Sequence, residues 1–547
     1  MILDPRPASA ADALTPVEHE IIEHFFTVQP SYAVQLGLHD YDGRLPDLRT
    51  SATDAWATRS DQLLRDLAAI SPEQLSAARR MDSMMLRLLL ESVLFDLRDS
   101  LDLDRNPMTF VSIFSMTSYM VREYAPAARR IEAILHVLEQ VPSVLTAGRQ
   151  RLRSSLPRPF LQLTLAIGGG LPAHFAEAET FARRASSTLG DRVKSARPAA
   201  EEAITDFLAR IKAEFLPKAN DAFALGPAHF QRLLWVREGI EAPFAEVLAA
   251  GQADLRRNQA RLQEIARTEQ VTVPQLLERL YGVHPTATAL IPTAQRFVDE
   301  ARLFVENQHL ATIPTPAICR VEETPIYGRA LTTASMNPPG PFDTVGDEGI
   351  YYVTPVDPAW TPAKQEEWLR SLNDSMLRNI TIHEVYPGHY LQFLHFRKSA
   401  GSLTRKVYLS SSFCEGWAHY AEQLAIEQNL GQGHVEAEVA QLHDALLRDC
   451  RLIASVGLHA QGMTLPQATK LFQQEAYFEE LPAEREAIRG TYNPEYFCYT
   501  LGKLAILDVR SKHLQSRFRG SLPSFHDTLL GFGCPPIGLL DALLAGG

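Results

Sequence analysis

Long apolar runs are missing from this chain. Although 46% of its 547 residues are hydrophobic, polar residues interrupt every apolar stretch well before the roughly 18 residues that suggest a membrane-spanning helix. No transmembrane segment is therefore expected. Cysteine is sparse: Cys319, Cys414, Cys450, Cys498 and Cys534 are scattered, odd in number and form no C-x-x-C pair. That argues against a disulfide framework and fits reduced thiols in a cytoplasm. The first residues, Met-Ile-Leu-Asp-Pro-Arg-Pro, lack a charged segment followed by an apolar one, so no secretory leader is expected. Basic runs are missing too. The net charge is −12 with both signs mixed along the chain, which argues against nucleic acid as a partner. Ile167-Gly-Gly-Gly170 lacks the G-K-[ST] ending of a phosphate loop and reads as a flexible connection. No G-x-S-x-G elbow and no fixed-period repeat occur.

What is present is helix after helix. Met81–Leu101 carries Met84, Leu86, Leu88, Leu89, Val93, Leu94 and Leu97 at mixed i+3 and i+4 steps, one broad apolar face. Ala127–Leu152, Ala173–Phe215 and Ala242–Arg267 continue the pattern, with Pro142 and Pro172 as expected breakers. Near residue 310 the texture changes to Pro, Gly, Thr and Tyr. Gly349-Ile-Tyr-Tyr-Val-Thr-Pro355 reads as a strand, with Cys319–Glu322 as its candidate partner. Helix resumes at Thr361-Pro362, an N-cap and N1 pair, and is expected to run unbroken into His383. A last helix is expected over Pro494–Leu514. The composition divides into an N-terminal helical lobe, 1–310, and a second, catalytic helical lobe with a short sheet, 311–547, with one continuous structural unit as the alternative.

The chemistry is concentrated in Thr381-Ile-His-Glu-Val-Tyr-Pro-Gly-His-Tyr-Leu-Gln392 and Ser412-Phe-Cys-Glu-Gly-Trp-Ala-His-Tyr420. His383 and His389 offer nitrogen ligands and Glu415 an oxygen ligand, while Glu384 is left free to handle a proton; this is the inventory of a helical zinc hydrolase. Histidines at i and i+4 sit about 40° apart around a helix. Here the second is at i+6, which on an unbroken helix puts it about 120° and about 9 Å away. The two imidazoles share one ion only if the helix is distorted between them. Pro387, which has no N–H, and Gly388, which tolerates unusual backbone angles, predict a bulge over Val385–Gly388 that loops out about two residues. Ser412-Phe-Cys-Glu415 also reads as a capping box that needs no metal. Gln392 is placed to orient the site. His419, one turn after Glu415, is a candidate for supporting a ligand or serving as a spare one, against an ordinary helical histidine as the default.

Three motifs in order, H-E-x-x-P-G-H-x-x-Q from His383, E-G-W-A-x-Y-x-E from Glu415 and Y-x-x-G-K from Tyr499, resemble the bacterial family labelled domain of unknown function 885. Its members resemble helical gluzincin peptidases such as thimet oligopeptidase and angiotensin-converting enzyme. The resemblance implies a mainly α, two-lobed metallohydrolase fold with a deep cleft and a short β-sheet beside the zinc helix. It implies one Zn2+ per chain, and a late tyrosine, Tyr499 first and Tyr492 second, as donor to an oxyanion.

Lys503, four residues after Tyr499, and Arg510, seven further on, share a helical face. They suit a substrate carboxylate, or a solvated basic surface. Tyr351 and Tyr352 on the expected strand are candidates for substrate contact, the strand adding an extended peptide at its edge or serving only as structure. The expected activity is zinc-dependent hydrolysis of a peptide or amide bond, carboxypeptidase- or dipeptidase-like, on a peptide or small amide, with no nucleic acid and no membrane as partner. The alternatives are hydrolysis of a non-peptide small amide, a non-catalytic helical binding protein, and a non-haem iron oxygenase built on two histidines and a carboxylate.

Overall fold

The computed structural model describes residues 12–329, 332–345, 348–398, 401–430 and 434–546; the residues read above for a leader, Met1–Pro7, lie outside them. The chain is mainly helical with one small three-stranded sheet. It divides into two compact units, Met1–Phe223 with Gly340–Gly346, and Ala224–Pro339 with Asp347–Gly547. Residues 224–310, grouped by composition with the N-terminal helices, belong to the second unit.

The first unit is built from long amphipathic helices. Ala77–Arg98 starts where the Ser76 hydroxyl accepts the Arg79 N–H. Ala127–Arg151 runs straight through Pro142 and Arg158–Ala185 through Pro172, where breaks were expected. An interior proline costs about 3 kcal/mol. Ile131, Ile134, Leu138, Val141 and Leu145 are buried on the first of these helices, and each contributes roughly 1.5–3 kcal/mol, so packing wins. The triple glycine is not a flexible connection but helical interior. A Cβ on Gly168 would come within 2.7 Å of the Leu208 side chain, so that glycine permits close packing against Ser187–Arg210. The segment expected as Ala173–Phe215 is two helices, broken at Ser186 by extended backbone (φ −165°, ψ 139°).

The second unit holds the sheet: β1 (Ile318–Glu323), β2 (Ala334–Asn337) and β3 (Glu348–Val353), in the order β1-β3-β2. β1 lies parallel to β3 with Ile318 opposite Glu348, and β2 antiparallel with Ala334 opposite Val353. β3 is therefore the centre of the sheet. Five of its six residues are buried, as expected for a strand covered on both faces. A peptide cannot add to it at an edge. β2 is an outer strand.

The helix expected from Thr361 to His383 is two. Thr361 caps Pro362–Ser371 by accepting the Lys364 N–H, and Asn373 caps Asp374–Glu384 by accepting the Met376 N–H. Asn followed by Asp is a helix-start signal. The late helix spans Cys498–His513 and is followed by Leu522–Gly531 and Leu540–Gly546.

Candidate metal centre

The helix Asp374–Glu384 ends with Glu384, and a new one, His389–Lys398, begins with His389. The interruption is larger than a two-residue bulge within one helix. Val385 leaves helical geometry (φ −118°, ψ −81°), and the Gly388 N–H donates to the Ile382 carbonyl at 3.0 Å. A Cβ on Gly388 would stand 1.9 Å from the His383 carbonyl oxygen, so no other residue fits that turn without moving the backbone. The Trp417 indole N–H holds the loop from outside by donating to the Pro387 carbonyl at 2.8 Å.

Glu415 comes from the helix Ser411–Glu427. The capping box read from Ser412 does not form. Ser410 is the cap, accepting the Phe413 N–H at 2.9 Å. The buried Glu238 carboxylate accepts the Ser412 N–H and the Ser410 hydroxyl, adding negative charge at the helix start. Burial pushes Glu238 up to about 7 despite those donors. Glu415 is thereby free to turn toward the histidines.

His383, His389 and Glu415 place one ligand atom each within 4.8 Å of one another. Nε2 of His383 lies 3.4 Å and Nε2 of His389 lies 3.5 Å from the same oxygen, Glu415 Oε2. Ligands about 2.0–2.2 Å from one tetrahedral ion stand roughly 3.4 Å apart, so this donor set fits a divalent metal.

The His383 ring faces a carboxylate on each side, Glu415 at Nε2 and Glu422 at Nδ1. His383 Nδ1 lies 2.6 Å from Glu422 Oε1. If Nδ1 carries the hydrogen for Glu422, a neutral ring aims its Nε2 lone pair at the Glu415 carboxylate, acceptor against acceptor. Positive charge between them resolves the conflict, whether as a proton or as a metal. Accordingly, and against burial, Glu415 and Glu422 raise His383 to about 10. Burial works to raise Glu415, but hydrogen bonding to His383 and His389 drives it well below the ordinary carboxylate range. His389 Nδ1 is buried with no hydrogen-bond partner among the described residues.

Glu422 is the anchor that the sequence reading missed. It lies seven residues after Glu415, about two turns, and so shares its helix face. Besides His383 it meets Arg448, whose NH1 donates to Oε2 at 3.1 Å, and His419, whose Nδ1 lies 3.3 Å from Oε2. His419 thus supports the ligand's partner rather than the cluster itself, and burial lowers it to about 3, leaving it neutral. Gln392 donates weakly to the Phe413 carbonyl at 3.5 Å, joining the histidine helix to the Glu415 helix.

A cavity of about 580 Å³ opens on this cluster. His383, Glu384, His389 and Glu415 line one part, β2 residues Ala334, Ser335 and Met336 another, and Arg489, Tyr492 and Tyr499 a third. Both candidate tyrosines therefore face the cluster's cavity. Burial pushes the Tyr499 phenol up, and so does Glu415, keeping its proton on as a hydrogen-bond donor. Arg451 and Arg448 stand 5.1 and 5.7 Å from its ring centre. The helix carrying Tyr499 crosses the Glu415 helix in backbone contact: a Cβ on Gly502 would fall 1.7 Å from the Ser412 carbonyl oxygen.

Four expected substrate residues are not at the cavity. Lys503 is fully buried, with Nζ 2.6 Å from Asp254 Oδ2. Arg510 pairs with Glu427 at 2.7 Å and stacks over the Tyr420 ring. Tyr351 and Tyr352 are buried in the central strand, and the Tyr351 hydroxyl lies 3.3 Å from Thr381 Oγ1. A helical i+4 step placed Lys503 beside Tyr499 correctly, but on the side of the helix that faces protein. The Cys414 thiol lines the cavity, but hydrogen bonding to Cys534, then burial, holds it far above the range of a reactive thiolate.

Fold and site together define a mainly helical protein with a half-buried cluster of two histidines and a glutamate at the wall of a cavity. The chain belongs to the family described as "Bacterial protein of unknown function (DUF885)", which it matches over residues 30–544. No curated protein matches it. Two solved structures share its fold. One, described as "a putative lipoprotein of unknown function" from Shewanella oneidensis, is 22% identical with a TM-score of 0.80, over 98% of this chain and 100% of that one. The other, described as "the putative lipoprotein" from Colwellia psychrerythraea, is 16% identical with a TM-score of 0.81, over 97% and 98%. Among the described residues no helix is long and apolar enough to cross a membrane.

Proposed function

We propose that the protein is a zinc-dependent hydrolase of a peptide or small amide bond. The observation that carries the reading is the pair of histidine Nε2 atoms converging on one Glu415 oxygen beside a cavity that also holds Glu384. The two-lobed, gluzincin-like architecture belongs to the same reading. His383, His389 and Glu415 would hold the ion, and Glu422 and Arg448 would fix the His383 ring. A bound divalent zinc supplies Lewis acidity, polarising a carbonyl and making water easier to deprotonate.

The rest is the work of the side chains. Glu384 has no hydrogen-bond or ion-pair partner among the described residues, so its carboxylate is free to take a proton from water and return it to the leaving amine. The Tyr499 hydroxyl, kept protonated, donates to the oxygen on which charge develops, with Tyr492 beside it. β2, an outer strand of the three-stranded sheet, lines the cavity and is placed to meet an extended substrate.

Metal analysis of the purified protein tests the reading, together with hydrolysis assays on dipeptides and on peptides blocked at either end. About one zinc per chain is expected. His383→Ala and His389→Ala should lose it and Glu384→Gln should keep it while losing turnover. Equal zinc in all three overturns the assignment, and iron in place of zinc supports an oxygenase. Zinc with ligand binding but no turnover on any substrate supports a binding protein. For the compartment, five free cysteines favour the cytoplasm and the two neighbours described as lipoproteins favour the envelope; cell fractionation decides.

A further inference from the structure

Resting on the hydrolase reading, we infer that Arg489 is the group that recognises a free carboxylate on the substrate, which narrows the substrate class to acids such as dipeptides, peptides cut near their C-terminus, or N-acyl amino acids. Arg489 is the only lysine or arginine lining the cavity among the described residues. Most buried or half-buried arginines around it are committed: Arg451 to Glu486 at 2.9 Å and Arg448 to Glu422 at 3.0 Å. Arg489 has no carboxylate partner among the described residues. One contact positions it. The guanidinium carbon stands 5.3 Å from the centre of the Tyr496 ring, a stacking that leaves the N–H edge available.

The neighbours suit an anion. Arg489 and Tyr492 are three residues apart on Glu480–Tyr492 and so share a face. The Arg489 charge is close enough to oppose the upward push on both the Tyr492 and Tyr499 phenols. A planar fork of donors matches a carboxylate in bidentate fashion, and the Tyr492 hydroxyl at the same wall adds a single donor, the Tyr499 hydroxyl being kept for the oxyanion. Glu384 and Glu415, by contrast, make the metal side of the cavity acidic. A substrate anion is therefore directed to the Arg489 side, with the bond to be cut toward Glu384. The cavity of about 580 Å³ is in the range that holds small ligands.

The test compares binding by calorimetry of N-acetyl amino acids and their C-terminal amides to the zinc-loaded protein, with the same pairs as dipeptides in hydrolysis assays. The wild type should bind acids at least about tenfold tighter than amides. Arg489→Ala should lose that preference with zinc content and amide binding unchanged, and Arg489→Lys should recover part of it. Equal affinity for acids and amides in the wild type, no binding of any acid, or a preference that survives Arg489→Ala each overturns the inference. Failure of the hydrolase reading looks different: no turnover on any substrate, with the Arg489-dependent preference intact.

Discussion

Gly502→Ala separates two effects of opposite sign. In a helix interior alanine is favoured over glycine by about 1 kcal/mol, so propensity alone predicts a more stable protein. The crossing with the Glu415 helix predicts the reverse. The new methyl would lie 1.7 Å from the Ser412 carbonyl oxygen and 2.8 Å from the Gly416 Cα. Both are backbone, so neither can rotate away, and the helices must part by about 1.5 Å to reach ordinary contact. Overpacking costs about 1–3 kcal/mol and more when backbone must move. Backbone must move here, so the cost lies at or above about 3 kcal/mol; less the roughly 1 kcal/mol propensity gain, the net expectation is a loss of about 2 kcal/mol or more in urea unfolding. Because the helix carrying Tyr499 crosses the Glu415 helix here, any hydrolytic rate should fall, by up to about a hundredfold for a displacement of about 1 Å. Gly169→Ala is the control, since nothing lies within 4 Å of its added methyl and it should stabilise its own unit by roughly 0.5–1 kcal/mol. Gly502→Ala behaving like the control would refute the packing argument.

Lys503→Ala should destabilise the protein by about 3 kcal/mol, because it removes the buried cation between Asp254 and Asp449 and leaves Asp254 facing Asp449 and the half-exposed Arg257. If unfolding were unchanged and only substrate binding weakened, Lys503 would belong to the substrate after all. Glu422→Gln should weaken zinc affinity about 10–100-fold in a chelator competition, by loosening the His383 ring; unchanged affinity would detach Glu422 from the site. Glu238, raised from 4.5 to about 7 in the fold, holds its proton more tightly folded than unfolded. Its contribution is therefore fully present below about pH 4.5 and is lost as pH rises through about 7, on the order of 3 kcal/mol in all. Glu238→Gln, which keeps shape without titrating, should gain on the wild type in unfolding free energy between pH 5 and 8. A constant difference over that range would count against the buried carboxylate.

Periodicity and capping residues made the helices legible, and the β-branched run made β3 legible. Pro142 and Pro172 misled because a local penalty was weighed without the core that outweighs it. Asn373-Asp374 was a legible start signal that the continuing apolar pattern masked. At the site, residue type and spacing were enough to single out His383, His389 and Glu415 as a group that the fold brings together, since few residue types can serve as metal ligands. Glu422 was legible in principle from its two-turn offset to Glu415. Lys503 was misplaced because a helical step gives a face but not what that face meets. Arg489 was invisible because its role depends on which arginines nearby are already paired, a fact of three dimensions.

The five residues between the histidines behave as a ruler of fixed length. Gly388 leaves no space beside the preceding turn, and Trp417 ties the Pro387 carbonyl to the opposite helix. One residue more or fewer would swing His389 by about 100° and pull it off Glu415. Insertions and deletions in the loop should therefore cost the cluster more than an isosteric change such as Glu384→Gln, which leaves the spacing intact. Chains built on this ruler will also escape any search that demands histidines four positions apart.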